Sequence, residues 1–518
     1  MHTNKWYWPE AGPWLLLLTG GIAACWLQLH YHNLIGLDWL SYVNVAELYA
    51  LGMFQKAING YWSPLYSWII ALFIKLGERP HVTSYGISFA AATACFYFLQ
   101  RLGRRYLKNI LVYILFQLSV VIMLLYYTIS ELTPDLMGAA ATLWFLTILS
   151  SPRFHTSYRL PVWAGIAAAM MFLAKSYNFF FLHMLFFVLL ADALRSAAER
   201  SERRYRATGI ALLVFWCVSL LWIIPLSIHE GKPAFSTAGR YSRNYAGPGH
   251  PGHLILRKVI APPFEEAYTA WFNASNQLDD HPWSPFAGVD NVLYLLRHMA
   301  DNTLVVVKIL NGWYIRLDIL LVCIALLAWY DKKRLYEAGR RLKLWLWVLL
   351  IYPVGYLPLF VEGRYIYIEG LLILFLFFYL LQEIGYRFST NVKRKSLFDI
   401  LIGTAIVVFL GFQSFVFGRQ KVWMYQKARY FTTVENRLPY LQNKRIVSDK
   451  SYYLLATQFC YTMHARLYGV WSPKEYDKVK QYQVEYLLTG TPRQEAFLRL
   501  RELLPGRNGP LYLYQFVF

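Results

Sequence analysis

The chain has 518 residues, 57% of them hydrophobic and 18% aromatic, with a mean hydropathy of +0.32. A soluble protein of this length divides into several domains with more surface charge, so the composition excludes an ordinary water-soluble enzyme. The net charge of +21 is scattered in short basic clusters between apolar runs, which excludes nucleic acid as the partner and points to a polytopic membrane protein.

The first apolar run, 13–30, has flanks unlike those of a cleaved signal peptide and is expected to remain as a span. Next comes GLDWLSYVNVAELYA, residues 36–50, which places Asp38 just outside that span. An amphipathic helix lying near the interface is expected over 39–58, with Tyr42, Glu47 and Tyr49 in it. Asp38 has two readings: an N-cap whose carboxylate accepts a backbone N–H, or a general base at the mouth of a membrane cavity. YWSPLYSW (61–68) reads as an interfacial aromatic belt, with Pro64 at a helix start.

Basic clusters fix the expected topology. RLGRRYLK (101–108), SPRFHTSYR (151–159), RSAAERSERRYR (195–206), DKKRLYEAGRRLK (331–343) and GYRFSTNVKRK (386–395) are read as cytoplasmic. The alternation then requires eleven spans, at 13–30, 83–100, 109–128, 134–150, 160–174, 178–193, 208–228, 311–330, 344–360, 366–384 and 398–417, with the N-terminus inside and the C-terminus outside. The apolar run 64–77 falls short of the roughly 20 residues a crossing needs and is read as interfacial or re-entrant. This order puts 31–82, 229–302 and everything after 418 on the outer face, where Lys175 and Arg364 are isolated cations. Domains of 1–417 (membrane) and 418–518 (extracytoplasmic) follow.

The outer loop 229–302 is rich in Gly, Pro, His and aromatics. His250, His253, Asp279, Asp280 and His281 have metal-ligating chemistry, but no pair sits at a recognised helical spacing, so the loop is read as a lid on the outer face. Beyond 418 the periodicity predicts strands at KRIVSD, ARLYGV, VEYLLTG and LYLYQFVF, with helices at SYYLLATQFCYTM, SPKEYDKVKQY and TPRQEAFLRLRELL. A small α/β domain with a largely parallel sheet is expected, without a Gly-rich phosphate loop. Four cysteines lie in apolar runs and Cys460 stands alone in the polar part, so no disulfide framework is expected.

The acid after the first span, the Tyr four places on, the helix and the aromatic-Pro-Leu-aromatic segment resemble the first outer loop of the GT-C membrane glycosyltransferases. ELTPDLMGAAATLW (131–144) is similar to that superfamily's Asp-bearing outer turn, GIAAAMMFLAKSYNFFFL (165–182) to its Gly-rich span ending in Lys, and VEGRYIYIEGLLILFLF (361–377) to its late Glu-Arg-Tyr turn. The resemblance covers most of 11–417. It implies a GT-C fold and an inverting enzyme that moves a sugar from a polyprenyl-phosphate carrier to a glycan, lipid or protein acceptor on the outer face. Asp38 would be the base, with Tyr42, Trp62, Tyr66, Asp135, Lys175, Arg364 and Tyr365 as substrate-binding residues. Asp135 is otherwise a structural group at the start of the span that follows Pro134, Lys175 a side chain snorkelling to the headgroups, and Arg364 the partner of Glu362.

The chain departs from the family in two places. Many members carry a second acid beside the first, whereas Trp39 and Leu40 follow Asp38 here, so no cofactor is expected and a divalent metal is not favoured. The aminoarabinose branch has Glu-Lys-Pro-Pro where this chain has Tyr61-Trp62-Ser63-Pro64, so the phosphate contact of that Lys must come from elsewhere. A lipid-carrier flippase is the first alternative, but the spans hold few ionisable residues at mid-membrane. A non-catalytic envelope-assembly protein is the second. The expected location is the bacterial inner membrane, with the working face outward.

Overall fold

A computed structural model describes residues 8–30, 36–195, 198–248, 253–277, 283–312, 317–388, 430–504 and 510–518, with isolated residues between 388 and 430. In chain order the helices are α1 (Trp8–His30), α2 (Leu37–Ala50), α3 (Phe54–Ala57), α4 (Pro64–Lys75), α5 (Pro80–Tyr106), α6 (Ile110–Ser130), α7 (Asp135–Leu149), α8 (Arg159–Ala174) and α9 (Asn178–Leu194). They continue with α10 (Ala198–Glu230), α11 (Ala238–Tyr245), α12 (Val289–Gly312), α13 (Leu317–Tyr330), α14 (Lys332–Arg341), α15 (Lys343–Val354) and α16 (Tyr367–Phe388). Two compact units emerge: residues 1–26, 84–224 and 285–418 form the first, and 27–83, 225–284 and 419–518 the second.

The first unit is a helix bundle. Among the described residues, four segments are long and apolar enough to cross a membrane: Pro80–Tyr106, Ile110–Thr128, Ser201–Glu230 and Gly363–Tyr386. Of seven shorter apolar helices among the described residues, six lie in this unit and one, α4, in the second. The protein is an integral membrane protein. The expected span at 398–417 lies almost wholly outside the described residues. Helix α16 packs against α6, α7 and α13 and is buried on nearly every side, as its apolar circumference requires.

Polar residues at the ends of the bundle's helices are tied down. Asn109 caps α6, accepting from the N–H groups of Leu111 and Val112. Gln382 of α16 accepts from the N–H of Asn109 and donates to the Tyr106 carbonyl, tying the turn between α5 and α6 to α16.

The second unit joins α2–α4, the 225–284 segment and an α/β fold. Strands β1 (Arg445–Ser448), β2 (Arg466–Val470), β3 (Tyr486–Thr489), β4 (Leu498–Leu504) and β5 (Leu511–Phe516) form one sheet of order β2-β1-β3-β5-β4. Helices α17 (Tyr453–Thr462) and α18 (Tyr476–Gln481) make the crossovers β1–α17–β2 and β2–α18–β3. β1 pairs in parallel with β2 and β3, whereas β5 is antiparallel to both β3 and β4. Val447, Leu487, Trp471, Val479, Tyr514 and Phe516 form part of the core.

Two expectations are corrected here. The segment predicted as the helix TPRQEAFLRLRELL instead carries β4, and the sheet is mixed rather than largely parallel. Leu498-Arg499-Leu500-Arg501 has period two, and the Pro-Gly…Asn-Gly-Pro run at 505–510 supplies turn residues, so a hairpin with β5 satisfies the local pattern. Helix α2 ends at Ala50 rather than continuing to 58, and it is buried along Trp39–Ala46 instead of lying amphipathic at an interface. Its buried polar groups have partners that the sequence alone does not reveal: Ser41 Oγ donates to the Trp271 carbonyl, and Asn44 bridges the Glu266 carbonyl and the Tyr268 N–H.

Candidate active site

The eight predicted site residues fall into two clusters of four, one in each unit. In the second unit, Asp38 is half-buried in the first turn of α2. It is not the helix cap, because Gly36 occupies that position and Asp38 is the second helical residue. A carboxylate there faces the positive end of the helix dipole, and Trp271 Nε1 donates to Asp38 Oδ1 at 2.8 Å.

Aromatic rings continue outward from this hydrogen bond. Trp271 lies edge-on to Tyr61, Trp62, Tyr241 and His253, with ring centroids 4.5–6.4 Å apart. Tyr42 packs against Trp62 at 4.9 Å and Tyr66 at 5.3 Å. Pro64 starts α4 at its first turn as the sequence predicts. The preceding turn is knotted by Asn59, which accepts from the N–H groups of Tyr61 and Trp62 and donates to the Phe272 carbonyl at 2.7 Å. Trp62 Nε1 donates to that same carbonyl at 3.0 Å. Tyr241 shares a 2.7 Å hydrogen bond with His253 Nδ1, and burial, Tyr245 and Asp38 hold its phenol above the ordinary value.

In the first unit, Asp135 opens α7 and Lys175 closes α8, and the two form a close ion pair. Thr133 Oγ1 donates to the other carboxylate oxygen of Asp135 at 2.7 Å. The Lys175 ammonium lies 3.6 Å from the centroid of the Tyr365 ring, a cation–π contact. Tyr365 stacks on Tyr356, and Tyr356 on Tyr177. Arg364 pairs with Glu362 at 2.7 Å and with Glu131 at 3.1 Å, its own side chain only 10% exposed.

Lys175 is therefore a paired, mostly enclosed ammonium rather than a snorkelling one, whereas the Arg364–Glu362 pairing expected from sequence is present. Both cations are thus held by carboxylates, Lys175 by Asp135 and Arg364 by Glu131 and Glu362. Glu369, one turn further along, is buried, and neither of its carboxylate oxygens has a hydrogen-bond partner among the described residues.

Sequence reasoning missed Trp271, Tyr241, Glu131 and Tyr356; the aromatic content of the 229–302 loop was the only signal for the first two. His250, Asp279, Asp280 and His281 lie outside the described residues. Among the described residues no His, Cys, Asp and Glu cluster suited to a metal is present.

Residues 62–222 match the family of dolichyl-phosphate-mannose-protein mannosyltransferases. Two crystal structures of ArnT from Cupriavidus metallidurans, one bound to undecaprenyl phosphate and one in the apo state, align over 98% of this chain and 98% of theirs. Identity is 11% in both, with TM-scores of 0.53 and 0.54. No curated protein matches by sequence. The chain has the fold of these ArnT structures.

Proposed function

We propose that this protein is an inverting membrane glycosyltransferase that moves a sugar from a polyprenyl-phosphate carrier to an acceptor on the extracytoplasmic face, with Asp38 as base. The observation that carries this reading is the whole-length likeness to ArnT, one of whose structures holds undecaprenyl phosphate, and the mannosyltransferase match points to the same chemistry.

Asp38 takes the proton of an acceptor hydroxyl as its oxygen attacks the anomeric carbon from the face opposite the leaving group. The bond between that carbon and the phosphate oxygen breaks, and its electron pair leaves with the carrier phosphate. Lys175 and Arg364 neutralise this charge, which is where cationic groups have most effect on the rate. Tyr61, Trp62, Tyr241 and Trp271 form a packed aromatic wall beside Asp38, with Trp62, Tyr241 and Trp271 buried. No divalent cation is invoked, because Trp39 and Leu40 stand where many relatives carry a second acid. The bacterial inner membrane is the location proposed.

The test is Asp38→Asn in purified, lipid-reconstituted protein supplied with an undecaprenyl-phosphate-linked sugar. The variant should insert and melt like wild type and lose transfer by on the order of a thousandfold. Full transfer by Asp38→Asn would remove the base and with it the mechanism.

A further inference from the structure

A cavity of about 440 Å³ opens in the second unit, its wall including Glu47, Lys75, Glu265, Tyr268, His464 and Arg466. That size lies within the roughly 300–1,000 Å³ of small-molecule sites. Glu47 follows Asp38 by nine residues on α2, and nine residues of helix amount to two and a half turns, so the two carboxylates point to opposite sides about 13 Å apart along the axis. The cavity is therefore not the surroundings of Asp38.

Its polar groups are built rather than scattered. Tyr268 shares the cavity wall with Glu47, and its hydroxyl lies 2.8 Å from His464 Nδ1. In the tautomer that carries its proton on Nδ1, His464 donates to the phenol oxygen and leaves Nε2 as an acceptor. At the rim Arg466 pairs with Glu265 at 3.1 Å.

The backbone adds an independent observation. Among the described residues only Asn443, His464 and Gln483 are non-glycine positions with positive φ. Two of these, Asn443 at 58° and His464 at 51°, line this same cavity. Left-handed backbone is an uncommon state that persists where the surroundings enforce it, and here the Asn443 N–H to Met463 carbonyl bond of 2.9 Å holds both turns together.

The lining selects its occupant. An anion would meet the carboxylates of Glu47, Glu265 and Glu266, whereas a simple cation would meet Lys75 and Arg466. Leu48, Ala50, Leu51 and Ile74 add an apolar wall, which a small ion would leave uncovered, whereas a wholly apolar ligand would strip water from Glu47 and His464 without replacing its hydrogen bonds. A neutral molecule with neighbouring hydroxyls can donate to the carboxylates and His464 Nε2 while accepting from Arg466 and the Asn443 amide.

We propose that this cavity is a second carbohydrate site, which holds a sugar of the acceptor away from the point of transfer. The choice of a saccharide rests on the proposed transferase activity. The experiment is saturation-transfer NMR of the full chain in lipid nanodiscs, with methyl mannoside, methyl glucoside and methyl N-acetylglucosaminide as probes.

At least one glycoside should bind wild type and Asp38→Asn alike, and His464→Ala and Glu47→Gln should each weaken it by about tenfold. Melting curves of both variants establish that they fold. Binding that is lost in Asp38→Asn but kept in His464→Ala would overturn the proposal, and so would absence of binding by all three probes. Transfer by wild type without glycoside binding defeats the cavity alone, whereas glycoside binding together with a fully active Asp38→Asn defeats the transfer mechanism alone.

Discussion

Trp271 holds Asp38 from 233 residues away in sequence. The indole N–H reaches Asp38 Oδ1 at 2.8 Å, while the Trp271 carbonyl accepts from Ser41 Oγ at 3.2 Å. Asp38 and Ser41 are three residues apart on α2 and so lie on one face of the helix. One tryptophan thus bridges that face at both ends and fixes the direction in which the carboxylate points.

Trp271→Phe keeps the ring and removes the donor. A hydrogen bond to a charged group contributes about 1.5–3 kcal/mol, so kcat for transfer should fall roughly tenfold to a hundredfold, while KM for the carrier-linked sugar changes little. Steady-state kinetics separate the two constants. A fall in KM alone, or no change, would show that Trp271 does not position the base.

The Asp135–Lys175 pair makes a different prediction. Breaking a fully buried pair from one side costs about 3–5 kcal/mol. The Lys175 side chain keeps 20% of its exposure, so Asp135→Asn should destabilise by less, about 2 kcal/mol, and Asp135→Asn/Lys175→Gln should recover part of that loss. Lys175→Gln alone should weaken binding of undecaprenyl phosphate about tenfold. Chemical denaturation and a lipid-binding titration read the two effects separately.

The membrane-embedded character of the chain was legible because apolar runs and basic clusters act locally, and the start of α4 because proline fixes its own backbone angle and has no N–H to leave unpaired. Asp38 stood out in the sequence as an acid just after the first apolar run. Its tether was not, since Trp271 sits in an irregular loop whose period says nothing about what it touches. Nor was the Lys175–Asp135 pair, which joins groups 40 residues apart. The burial of α2 escaped notice for a related reason: Ser41 and Asn44 look like a polar face until their partners from 266–271 are seen. The error at β4 arose where a charged amphipathic segment fits both periods and the hairpin partner decides.

Glu47 should make stability depend on pH. Burial raises its pKa from 4.5 to about 7, against the opposing effect of the Tyr268 hydrogen bond. The folded state therefore keeps a proton that the unfolded chain releases, so this group imposes no cost below about pH 4.5 and a growing one up to about pH 7, on the order of 3 kcal/mol in all. Wild type should melt at a lower temperature at pH 7.5 than at pH 5, and Glu47→Gln should remove much of that difference. Parallel melting profiles for the two proteins across this range would contradict the assignment.

The last prediction uses two glycines on the bundle's helices. Gly165 of α8 is buried where a Cβ would lie 2.5 Å from the Ala211 carbonyl oxygen and 2.6 Å from Val214 Cβ of α10, neither of which is the far end of a flexible chain. Small residues let helices approach closely in lipid, where packing rather than water drives association. Gly165→Ala should force α8 and α10 apart and lower the melting temperature by several degrees, for a cost of about 1–3 kcal/mol. Gly209, also on α10, has nothing within 4 Å of its Cβ position. Gly209→Ala should be neutral or stabilising by up to about 1 kcal/mol, because alanine restricts the unfolded chain more and suits a helix better. Thermal melting of both variants in one lipid composition gives opposite signs if the close approach at Gly165 is real, and equal shifts if it is not.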